Sequence, residues 1–400
     1  MLFRSVMDTA NLERIEILKG PASLMSGEGA AGGAINFVTR KPHRGTPEHE
    51  AFVSYGSFKT VRAGVGSGGS TAVQGLDYRF DVSRASSYGF VDDTWSRNWH
   101  ASGQLDYQVN ANVKVWGAAE YKEDSASAYW GTPLVSTAFS GAAATSGMVS
   151  GTHTSFYNGS VLGPVTIDSR TLKTNYNVLD NRNTAKEYFL RAGLDWNLGA
   201  GVTVREQAYY YHARREWFNN EVIAFNPAIN QIDRERFYVG HDQSITGNKL
   251  ELQWDTQLAG MNNRAVAMAD YSSLKFARPG AANFPFDNVN VVAPVRGVYG
   301  LLTTQRQSAD IQNLAFVIED RLKITPALAL LAGVRHESID VDRTSANAAG
   351  APRAGFPFST TFRPTTGRAG LTWELAPGVT VWGQYATGAD VAAKIGRAHV

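Results

Sequence analysis

The chain has 400 residues, enough for two or three soluble domains or one large barrel. It is 43% hydrophobic and 18% charged, which suits a folded protein, and its net charge of +2 gives no electrostatic reason to expect a nucleic-acid partner. It contains no cysteine, which excludes disulfides, thiolate metal sites and cysteine nucleophiles. No apolar run reaches the roughly 18 residues that a membrane helix needs.

Met1 to Ala10 lack the basic-then-apolar order of a secretory signal. Residues 11 to 42 read NLERIEILKGPASLMSGEGAAGGAINFVTRKP. From Arg14 to Lys19, Ile15 and Ile17 alternate with charged neighbours, which predicts a short strand. Gly20-Pro21 breaks it; Pro21 suits the first residue of a short helix to about Met25, which Gly27 can end. A glycine-rich loop, Gly27 to Gly33, precedes a second strand from Ala34 to Thr39, closed by Lys41-Pro42. A phosphate-cradling loop needs Gly-Lys-Ser/Thr opening a helix, whereas Gly32-Gly33 opens a strand.

From about residue 50 the sequence repeats one kind of segment. In Leu76 to Ser83, the apolar Leu76, Tyr78, Phe80 and Val82 alternate with Asp77, Arg79, Asp81 and Ser83. Ala101 to Val109, Lys249 to Leu258 and Gly367 to Leu375 follow the same rule. Noisier runs lie near 50–58, 60–67, 112–122, 187–197, 201–214, 263–272, 312–324, 326–337 and 378–387. Together they predict about thirteen strands, many of about ten residues, longer than the ~5–6 typical of soluble sheets and close to the ~9–11 of membrane strands.

Alternation alone fits both a soluble sandwich and a membrane barrel; the connections separate them. Short links at Asn110–Asn112, Gly199–Gly201, Gly260–Asn263, Thr325-Pro326 and Pro377-Gly378 alternate with long ones near 124–184, 216–243 and 274–310 and a medium one near 340–365. That is the layout of an outer-membrane barrel, with the long loops outside the cell. Tyr107, Tyr121, Trp196, Trp254, Trp373 and Tyr385 sit near strand ends as an interfacial girdle, though aromatics are enriched in any sheet.

The N-terminal segment resembles the end of the plug domain of TonB-dependent siderophore receptors. The resemblance rests on Glu13, Arg14, Ile15, Glu16, Leu18, Gly20, Pro21, Ser23, Gly27, Gly32, Gly33, Asn36, Val38, Thr39 and Pro42. It continues through Tyr55-Gly56-Ser57-Phe58, Tyr78-Arg79 and Tyr129-Trp130-Gly131-Thr132-Pro133-Leu134, the last similar to a third outer loop. It implies an all-β protein: a transmembrane antiparallel β-barrel, with about 13 of about 22 strands present, carrying the C-terminal part of an N-terminal plug domain. Residues 1–49 are then the end of the plug, 50–390 the N-terminal portion of the barrel, and 391–400 an expected non-native tail. The family's TonB box is expected before Met1 and about nine strands after residue 390.

The resemblance implies energy-coupled import of ferric siderophores at the outer membrane of a Gram-negative bacterium. Its partners would be the siderophore, TonB, outer-membrane lipid and lipopolysaccharide, and the chain would be a monomer without a resident cofactor, iron arriving as the siderophore chelate. A bulky anionic chelate calls for aromatic faces and cations near the outer mouth. The candidates are Tyr129 and Trp130 in the third loop, and Tyr209, Tyr211, Arg214, Arg215 and Trp217 on one ascending strand. The alternative for these residues is a girdle and a lipopolysaccharide-facing belt. The family often has Tyr where this chain has Ser26, so an aromatic contact from the plug is in doubt. Glu13, Arg14, Glu16, Arg40 and Lys41 are expected to pair with wall charges such as Arg191, Arg335 and Glu337. Within the same fold the alternative cargoes are haem, cobalamin or a glycan; a passive porin or adhesin is the reading from another class. An enzyme is disfavoured, since the 8 His are scattered and the acid pairs Asp92-Asp93 and Glu123-Asp124 fall where loops begin.

Overall fold

The computed structural model describes residues 9–20, 24, 27, 30, 32–127, 131–145, 147–155, 159–281, 286–300 and 304–389. In chain order, β1 (Leu12–Lys19) and β2 (Gly33–Thr39) form an antiparallel two-stranded ribbon. The sheet proper begins with β3 (Glu48–Gly56), β4 (Thr60–Ser70), β5 (Leu76–Tyr88), β6 (Trp95–Asn110) and β7 (Val113–Ser127). A small sheet of β8 (Leu134–Ser136), β9 (Val149–Thr154) and β10 (Val161–Ile167), with the short helix α1 (Thr137–Ser140), interrupts it. It resumes with β11 (Arg182–Gly199), β12 (Val202–Asn226), β13 (Gln231–Leu258) and β14 (Met261–Ala281). After β15 (Phe286–Asn290) come β16 (Thr304–Lys323), β17 (Leu328–Ala346), β18 (Phe358–Phe362), β19 (Thr365–Ala376) and β20 (Val379–Ala386). Thirteen strands pair in sequence order from β3 to β20; β15 joins the side of β13 and β18 that of β17. Each of the thirteen runs expected from alternation is a strand of this path.

Alternation sets the two faces. Along β13, Leu250, Leu252 and Trp254 point outward and are 42–47% exposed, while Lys249 and Glu251 turn inward. Phe316 and Ile318 on β16 and Leu371 and Trp373 on β19 repeat the outward pattern. Large apolar side chains left open over a whole sheet face are what a lipid-facing wall requires. Trp196 and Tyr188, eight residues apart on β11, mark the two margins of the apolar band, roughly 26 Å of strand at ~3.3 Å per residue. Tyr188 packs 5.1 Å from Tyr121 and 6.4 Å from His212, which makes the outer margin a continuous row. No helix among the described residues is long and apolar enough to cross a membrane.

The ribbon lies on the inner face. Asn11 Nδ2 meets Ser102 Oγ on β6 at 3.3 Å, and Arg40 pairs with Glu50 on β3 and Asp81 on β5. Farther along the same segment, Leu24 packs with Met268 of β14 and Val317 of β16. One short segment therefore touches both halves of the sheet, which curls around it.

The connection expected near 216–243 is not a loop. β12 and β13 stay paired up to Asn226↔Gln231, forming a hairpin that rises well above the outer aromatic row. The alternation rule misses this stretch because loops cover the hairpin, so apolar residues are no longer confined to one face. Val135, Tyr176, Phe225, Ile232, Val289 and Val291 form its buried core. β15 lies along the edge of β13 beyond the reach of β14, and Asn177 Oδ1 accepts from the Asn220 amide on β12. Both exposed edges of the hairpin are thus occupied, which removes templates for unwanted strand pairing.

A buried arginine ties these loops together. Arg234 donates to both Asp287 oxygens at 3.0 and 2.7 Å, to the Tyr176 carbonyl at 2.6 Å and to the Arg296 carbonyl at 3.2 Å. Arg296 in turn donates to the Asn177 carbonyl at 2.6 Å and to Asp93 at 2.7 Å, so Asp93 is an ion-pair partner as well as a loop acid. Nearby, the Arg170 guanidinium holds the Asp168 carboxyl down at about 2.

Arg234→Met leaves Asp287 with Arg236 at 3.9 Å and strands the Tyr176 and Arg296 carbonyls, at a cost of about 1–3 kcal/mol for unsatisfied buried acceptors. Intact cells treated with protease should then show new cuts in 172–181 and 291–300 with the heat-modifiable barrel retained; an unchanged cleavage pattern contradicts the tie. Since the chain has no cysteine, single-cysteine labelling tests the layout: Ala349→Cys should react with an impermeant maleimide on whole cells, and Asn112→Cys only after lysis. The opposite pattern inverts the topology.

Candidate ligand site

Strand alternation sorts the candidates on β12. Tyr209, Tyr211, Arg215 and Trp217 share the inner face, while Tyr210 and Arg214 turn outward. Arg214 faces Glu216 at 3.3 Å on the exterior, above the outer aromatic row. The expected grouping of Arg214 with Arg215 is therefore split, because adjacent strand residues point to opposite sides. Tyr129, Trp130, Pro21, Ser23 and Ser26 lie outside the described residues.

The inner-face residues form two tiers. In the lower one, the rings of Tyr209 and Tyr211 lie edge-on to Phe189, at 6.4 and 5.9 Å. Gly247 stands opposite Tyr209, and any Cβ there would collide with the phenol ring. In the upper tier the Arg215 guanidinium lies 4.8 Å over Trp217, whose indole meets Phe237 edge-on at 5.3 Å. His241, in register with Arg215, packs against Phe276 at 5.4 Å. Burial, reinforced by Arg278 and Arg215, pushes His241 down to about 4, so it is neutral at pH 7. The outer mouth thus offers two guanidinium groups among aromatic faces, a surface for an anionic, partly aromatic ligand. Phe189, Phe237, His241 and Arg278 were not singled out from the sequence, although the same alternation that selects Tyr209 and Trp217 places them on the inner face.

The plug-like ribbon docks differently from expectation. Arg14 pairs with Glu13 at 2.8 Å and Glu16 at 2.7 Å, and Asn36, the cross-strand partner of Glu16, donates to it at 2.9 Å. These charges are satisfied within the ribbon, and no wall residue takes part in the pairs described. Arg335 and Glu337 likewise pair with each other at 2.9 Å, with Asp270 at 3.5 Å from Arg335. Of the charges expected to dock, Arg40 does so, and the rest of the docking falls to groups not expected from the sequence. His100 Nε2 lies between Asn11 Nδ2 at 3.1 Å and Glu120 Oε1 at 3.0 Å, and Arg40 reaches Glu50 and Asp81. Nothing local in the sequence marks Asn11 or His100, which meet across 89 positions. Two motif glycines have steric reasons. A Cβ on Gly33, at φ +146°, would lie 2.5 Å from the Leu18 carbonyl oxygen; one on Gly27, at φ +78°, would press on Arg335 Nη2 at 3.2 Å. Gly20, at φ +88°, follows the last residue of β1, and Gly32 has open space around it.

Among the described residues no group of three His, Cys, Asp or Glu is placed to hold a metal. Between the ribbon and the wall lies a cavity of about 190 Å³ lined by Phe37, Glu187, Phe189 and Tyr211. A larger one of about 350 Å³ lies toward the short-link side, lined by charged residues including Lys41, Lys114, Arg205 and Glu251.

Comparison with known proteins agrees with this arrangement. The profile described as "TonB dependent receptor-like, beta-barrel" matches residues 129–391, and that of the "TonB-dependent Receptor Plug Domain" matches 2–34. The metal-pseudopaline receptor CntO of Pseudomonas aeruginosa (strain UCBPP-PA14) is 22% identical over 390 residues, covering 94% of this chain and 50% of that protein. The ferric-catecholate import receptor Fiu of E. coli K12, in its open form, superposes with a TM-score of 0.80 at 15% identity, over 96% of this chain and 60% of that one. The siderophore receptor PiuA of Acinetobacter baumannii gives 0.78 at 16% identity, over 96% and 55%. The chain spans about half the length of the curated receptor it matches over nearly its whole length.

Gly27→Val adds a branched side chain where both φ and Arg335 oppose it, at about 1–3 kcal/mol. The intact protein should show a lower thermal midpoint than wild type; an equal midpoint would mean that the Gly27–Arg335 packing does not hold the ribbon.

Proposed function

The chain belongs to the TonB-dependent receptor family of outer-membrane proteins, and from that footing we propose that the intact protein imports ferric siderophores across the bacterial outer membrane. The observation that carries the reading is the inner-face cluster of Arg215, Trp217, Phe237 and Arg278 above a lumen that already holds the ribbon. A ferric siderophore presents oxygen donors, negative charge and often aromatic rings. Guanidinium groups pair with the first two, and Trp217 and Phe237 offer faces to the third. The named cargoes of similar receptors, metal-pseudopaline for CntO and ferric catecholates for Fiu, support a metal chelate over haem, cobalamin or a glycan.

In this proposal residues 1–49 serve as the end of the plug and 50–390 as barrel wall. The plug stops free diffusion, which disfavours a passive porin. TonB does the work of shifting the plug, and its contacts are of the kind that yield to modest force. Asn11–Ser102 and Asn11–His100 are single hydrogen bonds, each of net worth about 0.5–1.5 kcal/mol. Arg40 adds ion pairs to Glu50 and Asp81 of the wall, and Arg44 lies 3.7 Å from Asp77. On the exterior, Lys186 and Arg214, paired with Glu123 and Glu216, sit at the level expected of a lipopolysaccharide-facing belt.

An iron-starved receptor-deletion strain complemented with the full-length gene should regain growth on one or more purified ferric siderophores. In the same cells, combined Arg215→Gln and Trp217→Ala should weaken surface binding of that chelate at least about tenfold, the effect of ~1.4 kcal/mol. Rescue by haem with no rescue by any siderophore overturns the cargo assignment; unchanged binding in the double variant overturns the site.

A further inference from the structure

Thr39 and Arg191 line both cavities already described and also a narrow neck bordered by Arg40, Arg79 and Gln104. The three make up a row of compartments along the flank of β2 that meet at these two side chains. It runs from the Tyr211 level, beneath the mouth, to the level of Lys249 and Glu251 nearer the short links. Arg191 and Thr39 stand where the compartments meet.

Charge in the lower compartment does not cancel. Lys114 is held by Asp195 at 3.0 Å and Asp106 at 3.6 Å, and Arg205 by Glu251 at 2.7 Å. Glu206, in register with the outward-facing Leu250, turns to the outer face and accepts from Asn248 there. Lys41, Arg191 and Lys249 are left with no carboxylate at ion-pair distance among the described residues. Arg191 lies 4.7 Å over the Phe189 ring, and its buried Nε has no hydrogen-bond partner among the described residues. Cations gathered in a crevice with low-dielectric walls concentrate their field there and draw in counter-charge. At about 350 Å³, the compartment lies at the small end of the roughly 300–1,000 Å³ range of ligand pockets.

We infer that Lys41, Arg191 and Lys249 form an oxyanion subsite inside the lumen, which takes carboxylate groups of a cargo chelate after it leaves the mouth. Arg191 is the specificity-determining residue at the neck. Its planar guanidinium can grip a carboxylate through two parallel hydrogen bonds, while Lys41 and Lys249 act as point charges on either side. A cargo lacking free carboxylates gains nothing from this stage, so the subsite discriminates among chelates that the mouth accepts alike. The transit role rests on the import reading; the existence of the anion subsite does not.

The test uses intact receptor in detergent, titrated calorimetrically with citrate as a tricarboxylate probe. Wild type should bind citrate, Arg191→Gln and Lys249→Gln should each weaken binding about tenfold, the equivalent of one charge-assisted contact, and Arg191→Lys should retain most of it. Heat-modifiable mobility confirms that each variant is folded. No citrate binding by wild type, or wild-type affinity in both glutamine variants, overturns the subsite. In cells, Arg191→Gln should leave surface binding of a carboxylate-bearing ferric chelate intact while slowing its uptake several-fold; unchanged uptake overturns the transit role. A failure of the import reading shows instead as no uptake by wild type, with the citrate result unaffected.

Discussion

A strand that crosses a bilayer has no water to satisfy its amides, so every N–H and C=O must find a neighbouring strand, and each strand must show lipid one face and the lumen the other. This constraint organises the molecule. It explains why thirteen strands pair strictly in sequence order and why Leu252 and Trp254 sit bare on the outside while Lys249 and Glu251 point inward. It also explains why the chemistry gathers on one face. With the outer face given over to lipid, recognition and gating have only the inner face and the segments above the membrane.

Those two regions are stabilised in different ways. Above the membrane, the tall β12–β13 hairpin is held by a buried core around Phe225 and Ile232 and by Arg234, whose donors are shared between Asp287 and two carbonyls from separate loops. Such a tie is rigid and costly to break from one side. Inside the lumen, the ribbon settles most of its own charge through Arg14, Glu13 and Glu16, and touches the wall through few hydrogen bonds. A ribbon whose charges are largely paired internally, with Arg40 held to Glu50 and Asp81 of the wall, has few ion pairs to break when it shifts.

Period two is why the strands were legible in the sequence. Its failure is equally physical. Where loops cover the β12–β13 hairpin, apolar residues such as Phe225 and Ile232 pack against those loops rather than lipid, and the stretch reads as a loop. Alternation was sufficient to separate Arg214 from Arg215, but grouping them by composition obscured it. The plug glycines were legible as a motif, and their reasons, the Leu18 carbonyl for Gly33 and Arg335 for Gly27, appear only in three dimensions. Asn11 and His100 carry no local signal at all, since their pairing depends on how the sheet curls round the ribbon.

Energy-coupled movement of cargo past the plug is the central claim, and uptake of a radiolabelled ferric chelate by cells carrying the intact receptor, with and without collapse of the inner-membrane proton gradient, tests it most directly. The account predicts that the chelate still binds at the surface but that uptake stops when the gradient is collapsed. Uptake continuing at an undiminished rate would contradict it, and would make the barrel a passive pore.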